Sequence, residues 1–266
     1  MNTAAIIEKW YKRIGFDSRY DRAFYNALKT IVIDPAATVY TLDKNQQDGK
    51  KNFLSYLYFC EALSAFYAEK GIPENILMDT LSDLPRWLDV WSGLKGELYL
   101  ENTGWLNHHF RGELFQLGRL QFCMSPASGM LCPLGIDKGE PIVDIHIPAA
   151  GPMTPASCAE SIAQARQFFP TFFPDYEFRC FTCVSWLLDP TLREILKPES
   201  NILQFQKMFA LANTHPSDSL LGYIFPWKTT REDLPALTPD TPFAQKVKDR
   251  IMQGGEFYTG YGVIWK

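Results

Sequence analysis

The chain has 266 residues, 46% of them hydrophobic and 14% aromatic, enough for a sizeable core and too many for a disordered chain. Its net charge of −4 and lack of a basic stripe argue against a nucleic-acid binder, and no window approaches the ~18 uncharged apolar residues of a membrane span. Charges interrupt the apolar N-terminus as they do not in a signal peptide, and the six cysteines read as free thiols in a reducing compartment, so a soluble cytoplasmic protein is expected.

Residues 3–14 predict a short helix with Ile6, Ile7, Trp10 and Tyr11 on one side, and residues 21–33 continue in that style. Residues 52–70 predict the strongest helix of this half. Phe53, Leu57, Cys60, Ala65 and Tyr67 lie in its broad apolar surface, and Gly71 supplies the stop. Pro73 opens a helix carrying Met78 and Leu81, and residues 84–92 form another around Trp87, Leu88 and Trp91. Gly93 and Gly96 mark a break. A helical N-terminal domain is therefore expected over residues 1–95 and a second domain over residues 96–266.

Past the break the pattern turns toward strands. Residues 113–122 alternate in part, with Phe115, Leu117, Arg119 and Gln121 directed one way. With the apolar piece at residues 130–134 and the strand after Gly139 they predict an antiparallel meander. That last strand, Val143-Asp144-Ile145-His146-Ile147, stops at Pro148. A short loop then reaches Thr154-Pro155, which reads as an N-cap followed by proline at the first helical position. The helix puts Ala159, Ile162, Ala163 and Phe169 on one stripe, and Pro170 and Pro174 close it. Residues 178–186 form the next strand. Strand, helix and strand make a βαβ unit, with parallel strands and a right-handed crossover. Residues 201–211 fit both periods and are read as a strand, and residues 220–225 as a strand or a helical turn. A loop over residues 226–241 precedes a helix capped by Thr241-Pro242, and residues 257–265 make the last strand.

HIPAAGPMT, FFPTFFP, FTCVSWLLDPTL, SNILQFQKMF and the upstream GELFQLGRLQF carry a resemblance. Together they are similar to a bacterial acyltransferase family with a helical N-acyltransferase N-terminal domain and a C-terminal domain related to the GCN5-type N-acetyltransferase (GNAT) fold. The resemblance covers roughly residues 96–266 and, more loosely, the helical part. It implies an α+β protein, a helical N-terminal domain packed on a GNAT-like mixed sheet with one central βαβ unit. It also implies transfer of an acyl group from acetyl-CoA or another acyl-CoA to a small-molecule amine or peptide, by direct attack in a ternary complex. No permanently bound cofactor, nucleic acid or membrane is expected.

The same resemblance distributes the roles. The backbone at Ile145 and Ile147 would hold pantetheine, and Gly151, Met153, Thr154 and Ser157, at a helix N-terminus with its positive dipole end, would face the pyrophosphate. Most GNAT enzymes carry Gln/Arg-x-x-Gly-x-Gly/Ala there. This loop has only Gly151, and Pro152 and Pro155 each remove a donor. The alternative is an ordinary capped loop. Alternation puts His146 and Asp144 on the face opposite Val143 and Ile145, and makes His146 the first choice for general base, against a satisfied half-buried histidine. Cys183 and Ser185 share a face of the second strand near the expected chemistry and are candidate proton donors to the departing thiolate, or else core filler. No metal site is expected, since Cys180 and Cys183 form a single pair without a second at zinc-finger spacing. His108 and His109 read as surface or interface residues, Tyr258 and Tyr261 as acceptor-cleft or sheet cover, and Glu97, Glu101 and Glu113 as solvated carboxylates or amine receptors. Two rival readings are a catalytically silent GNAT-like binding module and a helical interaction protein docking through exposed aromatic residues.

Overall fold

A computed structural model describes residues 2–42, 48–101 and 103–266. The chain divides into two compact units, residues 1–123 and 124–266.

The first unit is helical up to a closing hairpin. Its helices are α1 (Thr3–Ile14), α2 (Asp21–Thr30), α3 (Gly49–Lys70), α4 (Glu74–Leu81), α5 (Asp83–Lys95) and α6 (Thr103–Phe110). Helix α1 buries Ile7, Trp10 and Tyr11 as its spacing predicts, and Tyr11 stacks on Phe24 of α2 with ring centroids 3.7 Å apart. Helix α3 begins three residues before the expected Asn52, because the Asp48 carboxylate accepts from the Lys50 and Lys51 amides. It ends at Gly71 with φ 71°, a left-handed C-cap that glycine adopts without steric cost. Ala65 is exposed, not part of the buried face, while Phe53, Leu57, Cys60 and Tyr67 are buried as expected. Helix α5 runs through Gly93 and stops at Gly96.

The expected strand at residues 113–122 is a hairpin. Strand β1 (Leu114–Leu117) turns at Gly118, φ 66°, and returns as β2 (Leu120–Pro126), antiparallel with Phe115 opposite Phe122. Two residues thus serve as the turn, and Arg119 does not continue the face of Phe115 and Leu117. The division between the units falls inside β2.

The second unit holds the rest: β3 (Pro141–His146), α7 (Pro155–Phe172), β4 (Cys180–Ser185), α8 (Asn201–Gln206), β5 (Ala210–Pro216), the short α9 (Leu221–Ile224), α10 (Pro242–Met252) and β6 (Tyr258–Trp265). The strands follow the order β1-β2-β3-β4-β6-β5 in one mixed sheet. β3 and β4 are parallel, as the βαβ reading requires, while β6 is antiparallel to both β4 and β5. Residues 130–134 form no strand. They lie in a 3₁₀ helix, Gly129–Leu134, begun where the Ser128 hydroxyl accepts from the Met130 amide, and Leu131 seals the small core of Ile136, Ile142, Cys180 and Val263. Residues 201–211 split into a helix and a strand: Ser200 caps α8 by accepting from the Leu203 amide, and β5 starts only at Ala210. A second core gathers Leu192, Leu203, Leu220, Leu221, Leu234, Val247, Ile251 and Phe257.

Candidate active site

The site is built from β3, β4 and the start of α7. On β3, Ile142, Val143 and Ile145 are buried, whereas Asp144 and His146 are half-buried on the opposite face to Val143 and Ile145, the alternation expected of a strand in a covered sheet. The parallel register pairs Val143 with Phe181 and Asp144 with Thr182. Beyond that rung β3 runs on to His146 and β4 to Ser185. Thr182 donates its hydroxyl to Asp144 at the rung itself. Asp144 therefore has a partner on the neighbouring strand. Ile147 lies just past the end of β3.

The connection to α7 turns tightly, the Ala150 amide bonding the Pro148 carbonyl at 2.8 Å. Gly151 has φ 60° and open space where a Cβ would stand, so backbone conformation and not crowding is what favours glycine there. The cap is as expected. Thr154 Oγ1 accepts from the Ser157 amide at 3.2 Å and Pro155 opens the helix. The Ser157 hydroxyl in turn donates to the Thr154 carbonyl at 2.9 Å, and the Cys158 amide reaches the same carbonyl at 3.1 Å. In the first turn, then, one amide is missing at Pro155 and two are satisfied internally, so Thr154 and Ser157 serve the helix first. The inner face of α7 is Cys158, Ser161, Ile162, Ala165, Phe168 and Phe169. Ala159 and Ala163 of the expected stripe are exposed, and Pro170 is accommodated inside the last turn. Small residues on both faces left the helix's rotation open by one position.

On β4, Cys183 is fully buried, and burial, with the Asp144 charge adding to it, pushes its thiol up well beyond the ordinary cysteine value. Cys180 follows the same rule and rises to about 11, chiefly from burial. Ser185 is half-buried, and its hydroxyl accepts from the Leu187 amide at 3.1 Å, opening a 3₁₀ turn. Next, Asp189, 1% exposed, accepts from the Thr191 amide at 2.8 Å and from the Tyr258 amide at 2.8 Å, tying the chain after β4 to the start of β6. Burial raises its carboxyl, against those two amides. No local signal in the sequence marks Asp189 for this role, since its partner at Tyr258 is sixty-nine residues away. Tyr176 was also missed. Its hydroxyl donates to the Ile142 carbonyl at 2.7 Å.

Among the described residues no group of three or more side chains is arranged to hold a metal ion, and no helix is long and apolar enough to cross a membrane. His109 is not a surface residue. It is 1% exposed, with Nε2 3.1 Å from Asp83 Oδ2, an oxygen that also accepts from Trp87 at 3.2 Å and Trp105 at 2.9 Å, while Arg86 holds Oδ1 at 2.6 Å. His108 instead meets Glu113 at 2.7 Å, and Glu97 pairs with Lys50. Trp10 and Trp91 are buried, which removes them as docking aromatics.

A mixed sheet with one central parallel pair around a crossover helix defines a GNAT-like α+β protein. Residues 114–264 match a family described as a GNAT-like C-terminal domain, and residues 2–112 match an N-acyltransferase N-terminal domain; the chain belongs to this family. Solved structures similar to it include three with bound acyl-CoA. An acyltransferase in complex with decanoyl-CoA and teicoplanin is 27% identical at a TM-score of 0.72, over 82% of this chain and 66% of that one. This chain thus spans just under two thirds of that protein's length. An acyltransferase in complex with decanoyl-CoA is 25% identical at 0.72, over 97% and 82% of the two chains. An acyltransferase mutant in complex with octanoyl-CoA is 22% identical at 0.79, over 97% and 87%, a likeness of fold. Comparison with curated proteins returns no match.

Proposed function

We propose that this chain moves an acyl group from an acyl-CoA to an amine by direct attack in a ternary complex. The observation that carries the reading is the parallel pair β3–β4, whose register reaches Asp144 and Thr182 while the strands run on to His146 and Ser185. A thioester lying between the two strand ends would have a titratable base on one side and a hydroxyl on the other. The amine nitrogen attacks the carbonyl carbon, forming the C–N bond as the C–S bond breaks. His146 takes the amine proton, and Ser185, or the neutral thiol of Cys183, returns a proton to the leaving thiolate. Burial of Cys183 keeps the thiol neutral, which argues against a nucleophilic role and makes Ser185 the first choice of proton donor.

Backbone at Ile145 and Ile147 would hold pantetheine, and the segment containing Gly151, Met153, Thr154 and Ser157 would meet the pyrophosphate at the α7 N-terminus. Similar proteins solved with decanoyl-CoA support an acyl-CoA co-substrate, and the one holding teicoplanin as well supports a small-molecule acceptor. We assign the helical domain to residues 1–95 and the GNAT-like domain to residues 96–266. Six cysteines without a disulfide support a cytoplasmic setting.

A second reading, a binding module without turnover, draws on the few open amides of the α7 start. Calorimetric titration with acetyl-, octanoyl- and decanoyl-CoA separates the two. Saturable binding weakened by Gly151→Trp, with release of CoA thiol when an amine is added, is expected. Binding without thiol release over an amine panel would leave the silent module, and no binding at millimolar ligand would remove both.

A further inference from the structure

A cleft of about 470 Å³ lies in the C-terminal unit, and none of its lining comes from β3, from α7 or from the loop between them. Its walls are apolar: Leu188 follows β4, Leu203 belongs to α8, and Phe209 and Leu211 lead into and along β5. Leu211 stays 44% exposed, an apolar side chain that the fold leaves uncovered. The volume falls within the ~300–1,000 Å³ of small-molecule sites. Two glycines of β6 shape the surroundings. A Cβ at Gly262 would stand 2.7 Å from Leu188 Cδ1 and 2.9 Å from Phe209 Cβ, and one at Gly260 would stand 2.6 Å from the Leu188 carbonyl oxygen, so Leu188 and Phe209 rest directly on bare backbone. Gln206 stiffens the wall by donating to the Leu187 and Asp189 carbonyls at 2.9 and 2.8 Å.

The polar part of the lining is one-signed. Arg193 and Lys207 both line the cleft and no carboxylate does. Among the described residues neither cation belongs to an ion pair, and Arg193 makes one hydrogen bond, from Nε to the Pro190 carbonyl. An apolar cleft with two such cations is complementary to an apolar chain ending in an anion. We propose that this cleft binds a medium-chain carboxylate, at a site separate from the β3–β4 opening. The inference does not depend on acyl transfer, because its test reads binding alone.

The same chemistry, an apolar chain with an anionic head, is offered by a free carboxylate and by an acyl-CoA with its phosphates, so the test uses both. The whole protein is titrated calorimetrically with decanoate, decylamine and decanol, and again with decanoate in the presence of saturating decanoyl-CoA. Decanoate is expected to bind saturably, at least tenfold more tightly than decylamine or decanol, and to keep binding beside decanoyl-CoA. The double variant Arg193→Gln, Lys207→Gln, altered only at exposed side chains, should lose tenfold or more for decanoate with an unchanged circular dichroism spectrum. Absence of binding, equal binding of decanoate and decylamine, or indifference to the double variant would overturn the proposal. Full displacement by decanoyl-CoA would assign the cleft to the acyl-CoA and overturn the separate site.

Discussion

Thr182 donates its hydroxyl hydrogen to Asp144 across the parallel strands β3 and β4, on the rung after which β3 runs on to His146 and β4 to Ser185. Thr182 is fully buried, so water cannot replace the bond. The substitution Thr182→Val keeps the shape and removes the donor. We expect a loss of about 1 kcal/mol in urea unfolding, the usual net worth of one hydrogen bond, because Asp144 is only half-buried, and recovery of most of it in Thr182→Ser.

Asp83 is the electrostatic centre of the helical unit. Burial opposes its ionisation, yet hydrogen bonds from His109 and Trp105 and the nearby His109 and Arg86 charges outweigh that and hold the carboxyl far below the usual range. Asp83→Ala removes the acceptor shared by the buried His109 and the half-buried Arg86, Trp87 and Trp105, and should cost about 3–5 kcal/mol by denaturant unfolding.

The same residue gives a signed pH dependence. A carboxyl depressed in the folded state is protonated first in the unfolded chain, so its stabilisation is present above ~pH 3.9, the unfolded aspartate value, and is lost as pH falls toward the lower folded value. Urea midpoints measured from pH 7 down to 2.5 should drop steeply below about pH 4, with a shallower acid slope in Asp83→Asn.

Gly260 and Gly262 respond differently to the same methyl group. At Gly262 the new Cβ meets side-chain atoms of Leu188 and Phe209, whereas at Gly260 it meets the Leu188 backbone oxygen at 2.6 Å, which cannot rotate away. Both alanine variants should lose about 1–3 kcal/mol of thermal stability, with Gly260→Ala the worse of the two.

Thiol chemistry tests the direct-attack route. Cys132 is exposed while Cys60, Cys123, Cys158, Cys180 and Cys183 are buried, so iodoacetamide at pH 8 should label Cys132 alone in the native protein, as read by mass spectrometry. Cys183→Ala should retain turnover within about tenfold, since only one of two candidate proton donors is removed. Complete loss with an intact fold would point to a covalent intermediate.

Replacing the proposed base has a separate signature. His146→Gln should lower kcat by roughly 10²–10⁴ while leaving acyl-CoA binding by calorimetry unchanged.

Local chemistry is what the sequence made legible. Thr154 and Pro155 start α7 because a hydroxyl at the N-cap and a proline after it act over three residues, and Gly71 stops α3 through its own backbone. The alternation of residues 142–146 belongs to one strand, so the shared face of Asp144 and His146 could be read before any partner strand was known. Ser200 capping α8 carries an equally local signal, but residues 201–211 fit both periods and the choice of strand was wrong for the first half.

Tertiary structure alone decided whatever rests on a partner far along the chain. His109 is buried because Asp83, twenty-six residues earlier, takes its Nε2; the adjacent His108 stays half-exposed beside Glu113. The rotation of α7 was settled by packing: Ile162 and Phe169 of the expected stripe are buried, but Cys158, Ala165 and Phe168 join them in place of Ala159 and Ala163, whose small side chains bury too little area to fix the face. Asp189 reaches Tyr258, and Thr182 reaches Asp144, only once the sheet has brought β4 beside β6 and β3. A residue's propensity is written in its neighbours, but burial and hydrogen-bond partners are properties of the folded chain, and those are what give Asp83, Thr182 and Asp189 their roles.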